Sequence, residues 1–319
     1  MRRYFVIVNP VSGRGDGAQA IPRVEQELSR LGLDFQLVRT ERPWHAAELA
    51  RKAATDGFDV VVSVGGDGTA NEVLNGLMQA KAAGGVCPVM GALCVGRGND
   101  FAFGVGVPRD LVAGCRSLVA GHERRIDVGC VRGGDYPEGR YFGNGVGIGF
   151  DTVVGFEAQK LKRVHGFAAY LIGALKTIFL YFRAPLVRIV CDERTIEQQA
   201  LLVSIMNGRR MGGGFFMAPH GKPDDGRLDL CIAGQVTRRG VLALMPRFMK
   251  GTQAGHPAIT MVSSRRVSVE AIDGSLPAHA DGETICTAGT HLDVELLSKQ
   301  ISILVSDEAV NACVELESC

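Results

Sequence analysis

The sequence predicts a three-layer α/β domain followed by an antiparallel β-sandwich domain with helical inserts. Strand and helix patterns alternate over residues 1–130, as in a parallel sheet covered by helices. After about Arg125, strand patterns follow one another with few helices between them, which indicates antiparallel pairing. Glycine accounts for 42 of the 319 residues and is clustered, so many backbone positions need unusual dihedral angles or close approach to a ligand.

The elements of the first domain follow from apolar runs and helical periodicity. The predicted strands are Tyr4–Val8, Phe35–Val38, Val60–Val64 and Val89–Val95. The predicted helices are Gly17–Leu31, His45–Thr55, Ala70–Ala80 and Leu111–Ala120. Pro108 is well placed to open the last of these helices.

The second domain, residues 131–305, is rich in predicted strands. These strands are Arg125–Val131, Arg140–Gly149, Leu186–Asp192, Ala200–Met206, Leu228–Ala233, Arg266–Ile272, Ala278–Asp281 and Leu292–Val305. The predicted helical inserts are Thr152–Val164, Ala168–Phe182 and Thr237–Lys250. We expect the tail, residues 306–319, to complete the first domain.

Charge and cysteine content narrow the function classes. The chain has 35 Lys and Arg against 34 Asp and Glu, which argues against a nucleic-acid coat protein or a polybasic membrane anchor. Nine cysteines without a C-x-x-C pair favour a reducing cytoplasm. The apolar stretch Phe167–Phe182 carries Lys176 and is shorter than a membrane span of about 20 residues. We therefore expect a soluble, cytoplasmic protein with transient contact to a membrane surface.

The strongest chemical signal is the run Gly65-Gly66-Asp67-Gly68-Thr69, between a predicted strand and a predicted helix. Glycines at such a turn let backbone N–H groups approach phosphate oxygens, and the helix N-terminus favours negative charge. Asp67 is suited to hold the hydration shell of Mg²⁺ or to orient a nucleophile. Thr69 is the predicted N-cap, and Glu72 would complete a capping box. A tight turn before a capped helix is the simpler interpretation, but the full run favours phosphate binding.

Two further loops also follow strands. They are Asn9–Gly15 and Gly96–Phe101, and each alone is a common kind of structural turn. Three such loops at successive strand ends would line one edge of the sheet. The chain has no G-x-x-x-x-G-K-[ST] motif and no dinucleotide-binding fingerprint, which disfavours a P-loop enzyme and a dehydrogenase. The glycines of Gly143–Gly149 are interpreted as bulges or close strand packing.

The acidic motifs in the second half of the chain are weaker indicators of function than the glycine loops. Asp281 and Glu283 end a predicted strand and could act as a base and its partner, or form a solvated turn. Lys222–Asp229 could bind a hard cation, although a hairpin turn explains it better. Met206–Gly214 is a flexible loop with a basic pair, placed either to meet an anionic substrate or to cover the cleft.

Taken together, the motifs resemble the bacterial diacylglycerol kinase catalytic-domain family, soluble lipid kinases with sphingosine- and ceramide-kinase relatives. The matching pieces occur in the family's order over nearly the whole chain. They are Asn9-Pro10, Ser12-Gly13, Gly65–Thr69, Asn71-Glu72-Val73, Gly98–Ala102, Arg125-Ile126-Asp127, Asn144-Gly145, Gly149, Ala218-Pro219, Asp225-Gly226 and Asp281-Gly282-Glu283.

The resemblance implies ATP bound to the α/β domain, a lipid substrate taken from a membrane surface, and catalysis in the cleft between the domains. The implied nucleotide-binding residues are Asn9, Pro10, Val11, Ser12, Gly13, Thr40, Gly65, Gly66, Asp67, Gly68, Thr69, Ala70, Asn71, Glu72 and Arg97. Asp281 is the implied general base on the lipid hydroxyl, with Glu283 as the competing assignment.

The resemblance also implies two Mg²⁺ sites. Asp67, Asp100 and Asp127 match an acidic network that holds the catalytic ion through water, and the structural ion is bound by Asp225 and the carbonyls of Lys222 and Arg227. The chain departs from the family at two places. Arg97 replaces the usual Thr, which affects nucleotide preference, and Lys222-Pro223-Asp224 replaces a small or apolar run.

The candidates for lipid contact are Phe167–Phe182 and Gly212–Met217, which contains Phe215 and Phe216. A buried core is the simpler explanation of the first stretch. An NAD kinase-like enzyme and a non-enzymatic nucleotide-binding regulator are the alternatives. The Asn71-Glu72 pair directly after the glycine turn favours a lipid kinase. The identity of the lipid and the oligomeric state, a homodimer included, are left open by the sequence.

Overall fold

The computed structural model describes residues 2–96, 98–161, 166–180, 184–192 and 194–307. The chain forms two compact units. Unit 1 consists of Met1–Asp127 together with the chain from Lys299 onward, and unit 2 consists of Val128–Ser298.

Unit 1 is built on a parallel sheet. Its strands are β1 (Arg3–Val8), β2 (Asp34–Arg39), β3 (Val60–Gly65) and β4 (Val89–Cys94). Its helices are α1 (Asp16–Arg30), α2 (His45–Thr55), α3 (Asp67–Ala82), α4 (Asp100–Val105) and α5 (Leu111–Ala120). The strand order is β4–β3–β1–β2, with Val6 paired to Val62 across β1 and β3. Strand β3 is buried along its whole length, as its unbroken apolar sequence requires in a sheet covered on both faces.

The strand order decides where ligands can meet unit 1. Because the strands are parallel, the loops after β1, β3 and β4 leave the same edge of the sheet. Strand β3 lies between the other two, so its glycine turn is central among these loops. These loops were predicted to line one edge of the sheet, and the parallel strands bring them to that edge.

The start of α3 differs from the prediction. The helix begins at Asp67, its N-cap is Gly66, and no side chain caps it. The N–H of Ala70 donates to the carbonyl of Gly66 at 3.1 Å, which closes the first turn three residues earlier than predicted. The prediction of Thr69 as N-cap in a capping box was therefore wrong. Glu72 instead accepts a hydrogen bond from the N–H of Ala46 at the start of α2, at 3.1 Å.

Two further details of unit 1 differ. Helix α4 was not predicted, because it is six residues long and lies in a glycine-containing segment. Helix α5 is opened by Asp110 rather than Pro108, since the Asp110 carboxylate accepts the N–H of Ala113 at 2.9 Å. This is ordinary N-capping by an aspartate.

Unit 2 is antiparallel. The strands β5 (Glu123–Gly133) and β15 (His291–Leu304) each run across the boundary between the units. The other strands are β6 (Tyr136–Phe142), β7 (Gly145–Gly149), β8 (Leu186–Cys191), β9 (Arg194–Met206), β10 (Leu228–Gly234), β11 (Ile259–Ser264), β12 (Arg266–Ala271), β13 (Leu276–Ala280) and β14 (Glu283–Gly289). The helices are α6 (Phe150–Gln159), α7 (Gly166–Leu180) and α8 (Arg238–Lys250).

The long strand β9 organises unit 2. It pairs with β7, β8 and β10. One run of neighbours is β14–β13–β7–β9–β10–β11, and another is β9–β8–β12–β15. The inward side chains of both runs, which include Ile148, Ile205 and Leu230, form one apolar core together with Phe142 of β6. The predicted fold class, an α/β domain followed by a β-sandwich domain, is confirmed.

Some predicted elements of unit 2 were incomplete. The predicted strand Arg140–Gly149 is two strands, because the chain leaves the sheet at Gly143 and Asn144. Strands β11 and β14 were not predicted. The predicted ends of two helices, Val164 and Phe182, lie outside the described residues. In the described ranges, each helix is too short or too polar to cross a bilayer.

Candidate functional site

The glycine turn of unit 1 packs backbone against backbone. A Cβ on Gly96 would lie 2.6 Å from the Cα of Gly66, and a Cβ on Gly66 would lie 2.9 Å from the carbonyl oxygen of Gly98. Neither distance is tolerated by a real side chain, so glycine is required at Gly66 and Gly96 for close packing. Gly66, Asp67 and Gly68 are partly exposed, although the residues before and after them are buried. The turn therefore presents its backbone to solvent at the start of α3.

The loop after β1 joins the same cluster. The Asn9 side-chain amide donates to Thr69 Oγ1 at 3.1 Å, and Asn9 Oδ1 accepts the N–H of Val11 at 3.2 Å. Ser12 Oγ lies 3.3 Å from the point that a Cβ on Gly96 would occupy. The three predicted loops thus meet around Thr69 and Ser12.

Backbone strain in the first loop is concentrated after Ser12. Gly13, Arg14 and Gly15 have φ values of 61°, 66° and 105°, all in the left-handed region. The N–H groups of Ser12, Arg14 and Gly15 donate to the carbonyls of Asn9, Val11 and Ser12, so the loop is closed by its own hydrogen bonds. Thr40 follows β2 and donates its N–H to the carbonyl of Val8 at 2.8 Å, beside the same loop.

Asp67 connects the loop after β3 to helix α4. Its carboxylate accepts the N–H groups of Asp100 and Phe101, both at 3.0 Å. Its own N–H donates to the carbonyl of Gly98 at 3.0 Å. The carboxylate therefore satisfies backbone N–H donors at the start of α4 that have no partner within the helix, a role that was not predicted. Arg97, in the same loop, lies outside the described residues.

The predicted acidic network is only partly brought together. Asp67 and Asp100 are linked by the hydrogen bond at the start of α4, and Asp100 is buried. Asp127 is fully buried, and its carboxylate accepts the N–H of Lys299 at 2.7 Å, where the chain returns to unit 1. The structure thus places Asp127 against the returning strand.

These oxygen donors fit Mg²⁺ in one particular way. In the part of the chain that the structure describes, no three His, Cys, Asp or Glu side chains are grouped closely enough to hold a metal ion. Mg²⁺ in phosphoryl-transfer sites keeps several waters and binds mainly to substrate phosphates, with one or two protein carboxylates. Asp67, partly exposed beside the glycine turn, is placed to contact such a hydrated ion.

In unit 2, Asp281 occupies a tight hairpin turn between β13 and β14. Asp281 and Gly282 have φ values of 49° and 85°, and positive φ at both central residues is the requirement of a type I′ turn. The Asp281 carboxylate accepts three backbone N–H groups, from Gly143 at 2.8 Å, Asn144 at 3.0 Å and Gly145 at 2.9 Å. Asp281 is 8% exposed, whereas Glu283 is exposed. Of the two, Glu283 is the more accessible carboxylate.

Two buried ionisable residues, neither of them proposed from the sequence, lie beside this turn. The Nδ1 atom of His279 accepts the N–H of Gly282 at 3.2 Å. The Nε2 atom of His279 lies 3.5 Å from Asp151 Oδ2. His279 is 7% exposed and Asp151 is 2% exposed. The sequence did contain a signal for His279, because it is a lone histidine within the apolar run Leu276–Ala280, which forms a buried strand.

Unit 2 also contains an apolar cavity with a volume of about 70 Å³. It lies among α6, α7, α8, β9 and β10, and its surface is apolar, although Asp151 is one of the residues that line it. The other lining residues are Phe150, Val154, Ala174, Leu201, Leu202, Phe215, Met217, Ala233, Val236, Val241, Leu244, Met245 and Phe248. Burial, with the nearby Asp151 carboxylate, raises the pKa of the Cys231 thiol to about 12. Apolar cavities of this kind stay dry and accept apolar ligands.

The cavity relates to the two predicted lipid-contact stretches. Phe215 and Met217, from the predicted Gly212–Met217 loop, line it and are buried. Ala174, from the predicted helix, also lines the cavity. Phe216 is not a lining residue, and its N–H donates to the carbonyl of Phe248 at 2.8 Å. Both stretches therefore supply residues to the cavity wall.

The predicted structural-metal loop forms a local turn. Asp225 is exposed, and its Oδ1 accepts the N–H of Arg227 at 2.9 Å. Gly226 has a φ of 76°. Burial, followed by the negative charge of Asp225, raises the pKa of Asp229 above its usual range. The predicted ligands, the Asp225 carboxylate and the carbonyls of Lys222 and Arg227, are oxygen donors of the kind that a hard ion takes.

Two protein-family models match the chain. Residues 3–131 match the diacylglycerol kinase catalytic domain, and residues 144–305 match the YegS C-terminal NAD kinase beta sandwich-like domain. The diacylglycerol kinase of Bacillus subtilis (strain 168) is 29% identical over 285 residues, which cover 89% of this chain and 90% of that protein. The diacylglycerol kinase of Staphylococcus aureus (strain MRSA252) is 26% identical over 313 residues, which cover 97% and 94%.

Solved structures agree with the fold. A crystal structure of a diacylglycerol kinase from Bacillus anthracis str. Sterne has a TM-score of 0.72 at 22% identity and covers 97% of this chain and 98% of that chain. An NAD kinase from Archaeoglobus fulgidus, in complex with ATP, has a TM-score of 0.53 at 15% identity and covers 99% of each chain. At these identities, the likeness establishes the architecture alone.

Proposed function

The chain is a kinase that belongs to the bacterial diacylglycerol kinase catalytic-domain family, and we propose that it transfers the γ-phosphoryl group of ATP to a lipid hydroxyl group, with Mg²⁺. Diacylglycerol, a sphingoid base and ceramide are the acceptor classes under this proposal. Phosphoryl transfer depends mainly on positioning and on neutralising charge, so loops that bind phosphate and a base for the hydroxyl proton are the essential parts.

The observation that carries the lipid assignment is the apolar cavity of unit 2. Its wall is almost entirely aliphatic and aromatic, which suits part of a hydrocarbon chain and suits no part of a dinucleotide. The cavity therefore supports an amphiphilic acceptor over NAD.

For the nucleotide, unit 1 supplies the loops around Ser12, Gly66 and Thr69. The glycine turn and the N-terminus of α3 would bind the phosphate chain through backbone N–H groups, as helix N-termini commonly do, with the Ser12 hydroxyl beside them. Asp67 would orient a water bound to Mg²⁺, and Mg²⁺ would offset the negative charge that develops on the phosphoryl oxygens. The Asp225 turn is the proposed site of the structural Mg²⁺.

For the acceptor, unit 2 supplies the turn that carries Asp281 and Glu283. Three backbone N–H donors occupy most of the roughly four acceptor positions of the Asp281 carboxylate. These hydrogen bonds hold Asp281 firmly. Glu283, two residues later, is exposed and is the alternative candidate for the base. A base must lie within about 3 Å of the hydroxyl proton, directly or through one water.

A labelled-ATP assay tests the proposal. The purified full-length chain, with Mg²⁺, is offered diacylglycerol, a sphingoid base and ceramide in mixed micelles, and NAD in a separate arm. We expect a phosphorylated lipid and no product from NAD, with Asp281→Asn and Glu283→Gln as the variants. Phosphorylation of NAD, with none of the lipid panel converted, would overturn the proposal. Omission of Mg²⁺ should abolish turnover.

The cytoplasmic location and transient membrane association remain part of the same proposal. A lipid acceptor lies in a bilayer, so the kinase must reach a membrane surface to meet it. Co-sedimentation of the chain with liposomes tests this step separately from catalysis. Binding without turnover would then locate the failure in the acceptor rather than in membrane association.

A further inference from the structure

A buried pair of ionisable side chains connects the apolar cavity of unit 2 to the Asp281 turn. Asp151 is part of the cavity wall, and its Oδ2 lies 3.5 Å from Nε2 of His279. The other ring nitrogen of His279, Nδ1, accepts the N–H of Gly282 at 3.2 Å. One imidazole thus links the cavity wall to the second residue of the turn.

These contacts define the protonation of the ring. An atom that accepts a backbone N–H cannot itself carry a proton, so Nδ1 is unprotonated in the described arrangement. The neutral imidazole then carries its proton on Nε2, directed at the Asp151 carboxylate. The Asp151 carboxylate lies 3.5 Å from this nitrogen, so its negative charge favours a proton on Nε2 and helps to orient the ring.

The backbone leaves room for this pair at one point. Gly147 lies opposite His279 in the pairing of β7 with β13. A Cβ on Gly147 would lie 2.0 Å from Asp151 Oδ2 and 2.5 Å from His279 Nε2. The two side chains meet directly above the Cα of Gly147, so this glycine permits the contact.

Helix α6 is anchored to the same glycine. The hydroxyl of Thr152 donates to the carbonyl of Gly147 at 2.9 Å, and the N–H of Thr152 donates to Asp151 Oδ1 at 2.8 Å. Asp151 is thereby held through Oδ1 to its own helix, while Oδ2 faces His279 Nε2 at 3.5 Å, a distance longer than that of a good hydrogen bond. This rigidity is needed if the imidazole is to fix a turn rather than follow it.

We propose that His279, oriented by Asp151, is a positioning residue that fixes the hairpin turn carrying Asp281 and Glu283. The inference rests on the proposed function, because the turn matters only if one of its carboxylates serves the acceptor. Asp151 also lines the cavity, so a chain bound there contacts the residue that orients His279. The wall of the cavity and the catalytic turn are then coupled through one imidazole.

The first experiment does not depend on activity. The full chain is labelled with ¹⁵N-histidine. The ring-nitrogen signals of His279 are those that are present in the wild-type spectrum and absent from the spectrum of His279→Asn. We expect the Nε2–H tautomer near neutral pH, with an unprotonated Nδ1. A protonated Nδ1 at that pH would overturn the proposal, because it could not accept the N–H of Gly282.

The second experiment separates the two contacts of the imidazole. In His279→Asn, the amide oxygen can take the place of Nδ1 and accept the N–H of Gly282. In His279→Gln, the longer side chain can instead reach toward Asp151 and loses the turn contact. We expect kcat to fall about tenfold or more in His279→Gln and much less in His279→Asn, with the KM for ATP unchanged.

A matched control exists in the same unit. His256 Nδ1 accepts the N–H of Ala258 at 3.2 Å, the same type of contact in a loop away from the turn. His256→Gln should leave kcat unchanged. Equal loss of kcat in His279→Asn and His279→Gln, with both variants folded, would contradict the positioning role.

The outcomes distinguish this inference from the proposed function. If the wild-type chain phosphorylates no lipid while His279 has the expected tautomer, the function fails and the geometry of the turn stands. If lipid is phosphorylated and His279→Gln retains the wild-type kcat, the function stands and the positioning role fails. The thermal unfolding midpoint of each variant shows whether a loss of kcat reflects unfolding.

Discussion

Asp281 and Gly145 exchange two hydrogen bonds. The N–H of Asp281 donates to the Gly145 carbonyl at 3.0 Å, and the N–H of Gly145 donates to Asp281 Oδ1 at 2.9 Å. With the N–H groups of Gly143 and Asn144, this exchange ties the hairpin turn to the point where β6 ends and β7 begins. The proposed catalytic aspartate is therefore also a structural residue, and experiments must separate the two roles.

Substitution of Asp281 should affect both stability and activity. Asp281→Ala leaves three buried N–H groups without their acceptor and should lower the free energy of unfolding by about 3 kcal/mol. Asp281→Asn keeps one oxygen acceptor and should cost about 1–2 kcal/mol. If Asp281 is the base, Asp281→Asn should lower kcat by about 10²–10⁴-fold. Chemical denaturation and the labelled-ATP assay measure the two effects.

Glu283 provides the comparison. It is exposed, so Glu283→Gln should change stability by no more than about 0.5 kcal/mol. Under the Asp281 assignment, kcat should change little. A folded Glu283→Gln variant without activity, beside an active Asp281→Asn variant, would assign the base to Glu283 instead.

Asp67 and Asp110 form a matched pair for testing the metal role. Each carboxylate accepts backbone N–H groups at the start of a helix, Asp67 for α4 and Asp110 for α5. Asp110 uses one oxygen, so Asp110→Asn should cost no more than about 0.5 kcal/mol, because asparagine caps helices about as well as aspartate. Asp67 uses both oxygens, so Asp67→Asn turns an NH2 group toward one of its donors and should cost about 1–2 kcal/mol. Asp67→Asn should nevertheless lower kcat strongly and raise the Mg²⁺ concentration needed for half-maximal rate, whereas Asp110→Asn should not. Equal behaviour of the two variants would leave Asp67 with a structural role alone.

The raised pKa of Asp229 predicts a pH dependence of stability. The folded chain binds this proton more tightly than the unfolded chain, so the ionised carboxylate destabilises the fold above the folded pKa. Stability should therefore rise as pH falls from neutral through that pKa. Asp229→Asn should raise the unfolding midpoint near neutral pH and reduce this gain, as thermal melts at several pH values would show.

Mg²⁺ should act on the same carboxylates. The negative charge of Asp225 contributes to the raised pKa of Asp229, and a bound cation would offset both charges. Added Mg²⁺ should raise the unfolding midpoint of the wild type near neutral pH and have less effect on Asp225→Asn. An equal effect of Mg²⁺ on both proteins would exclude the loop as the metal site.

Filling the cavity should change acceptor preference. Ala174 lines the cavity from α7, so Ala174→Leu would occupy part of its roughly 70 Å³ with a side chain. We expect kcat/KM to fall several-fold for a long-chain lipid and less for a short-chain analogue, with little loss of stability. Ala243→Leu, on the exposed face of α8, is the control and should leave both values unchanged. The same kcat/KM loss for both lipids would argue against chain binding there.

Local patterns in the sequence predicted most of the fold. The buried run at β3 and the helical period of α1 are properties of consecutive residues, and both elements were located within two residues at each end. The three glycine loops were also found, because a turn after a strand has a local signature. Fold class and the order of the motifs followed from these features.

The contacts that define the site are not local. Asp281 receives N–H groups from residues 136 to 138 positions earlier, and Asp67 caps a helix 33 positions later. His279 and Asp151 meet because β13 pairs with β7, and the local sequence around either residue does not predict that pairing. The sequence identified which residue types were available, whereas the pairing of strands decided which of them meet.

Gly147 has an evolutionary consequence. Since even one methyl group at this position would collide with both Asp151 and His279, a mutation there is tolerated only after one of the two has been replaced. Among related proteins, glycine at 147, aspartate at 151 and histidine at 279 should therefore be present together or absent together. A lineage that acquires alanine at 147 should have found another way to hold its hairpin.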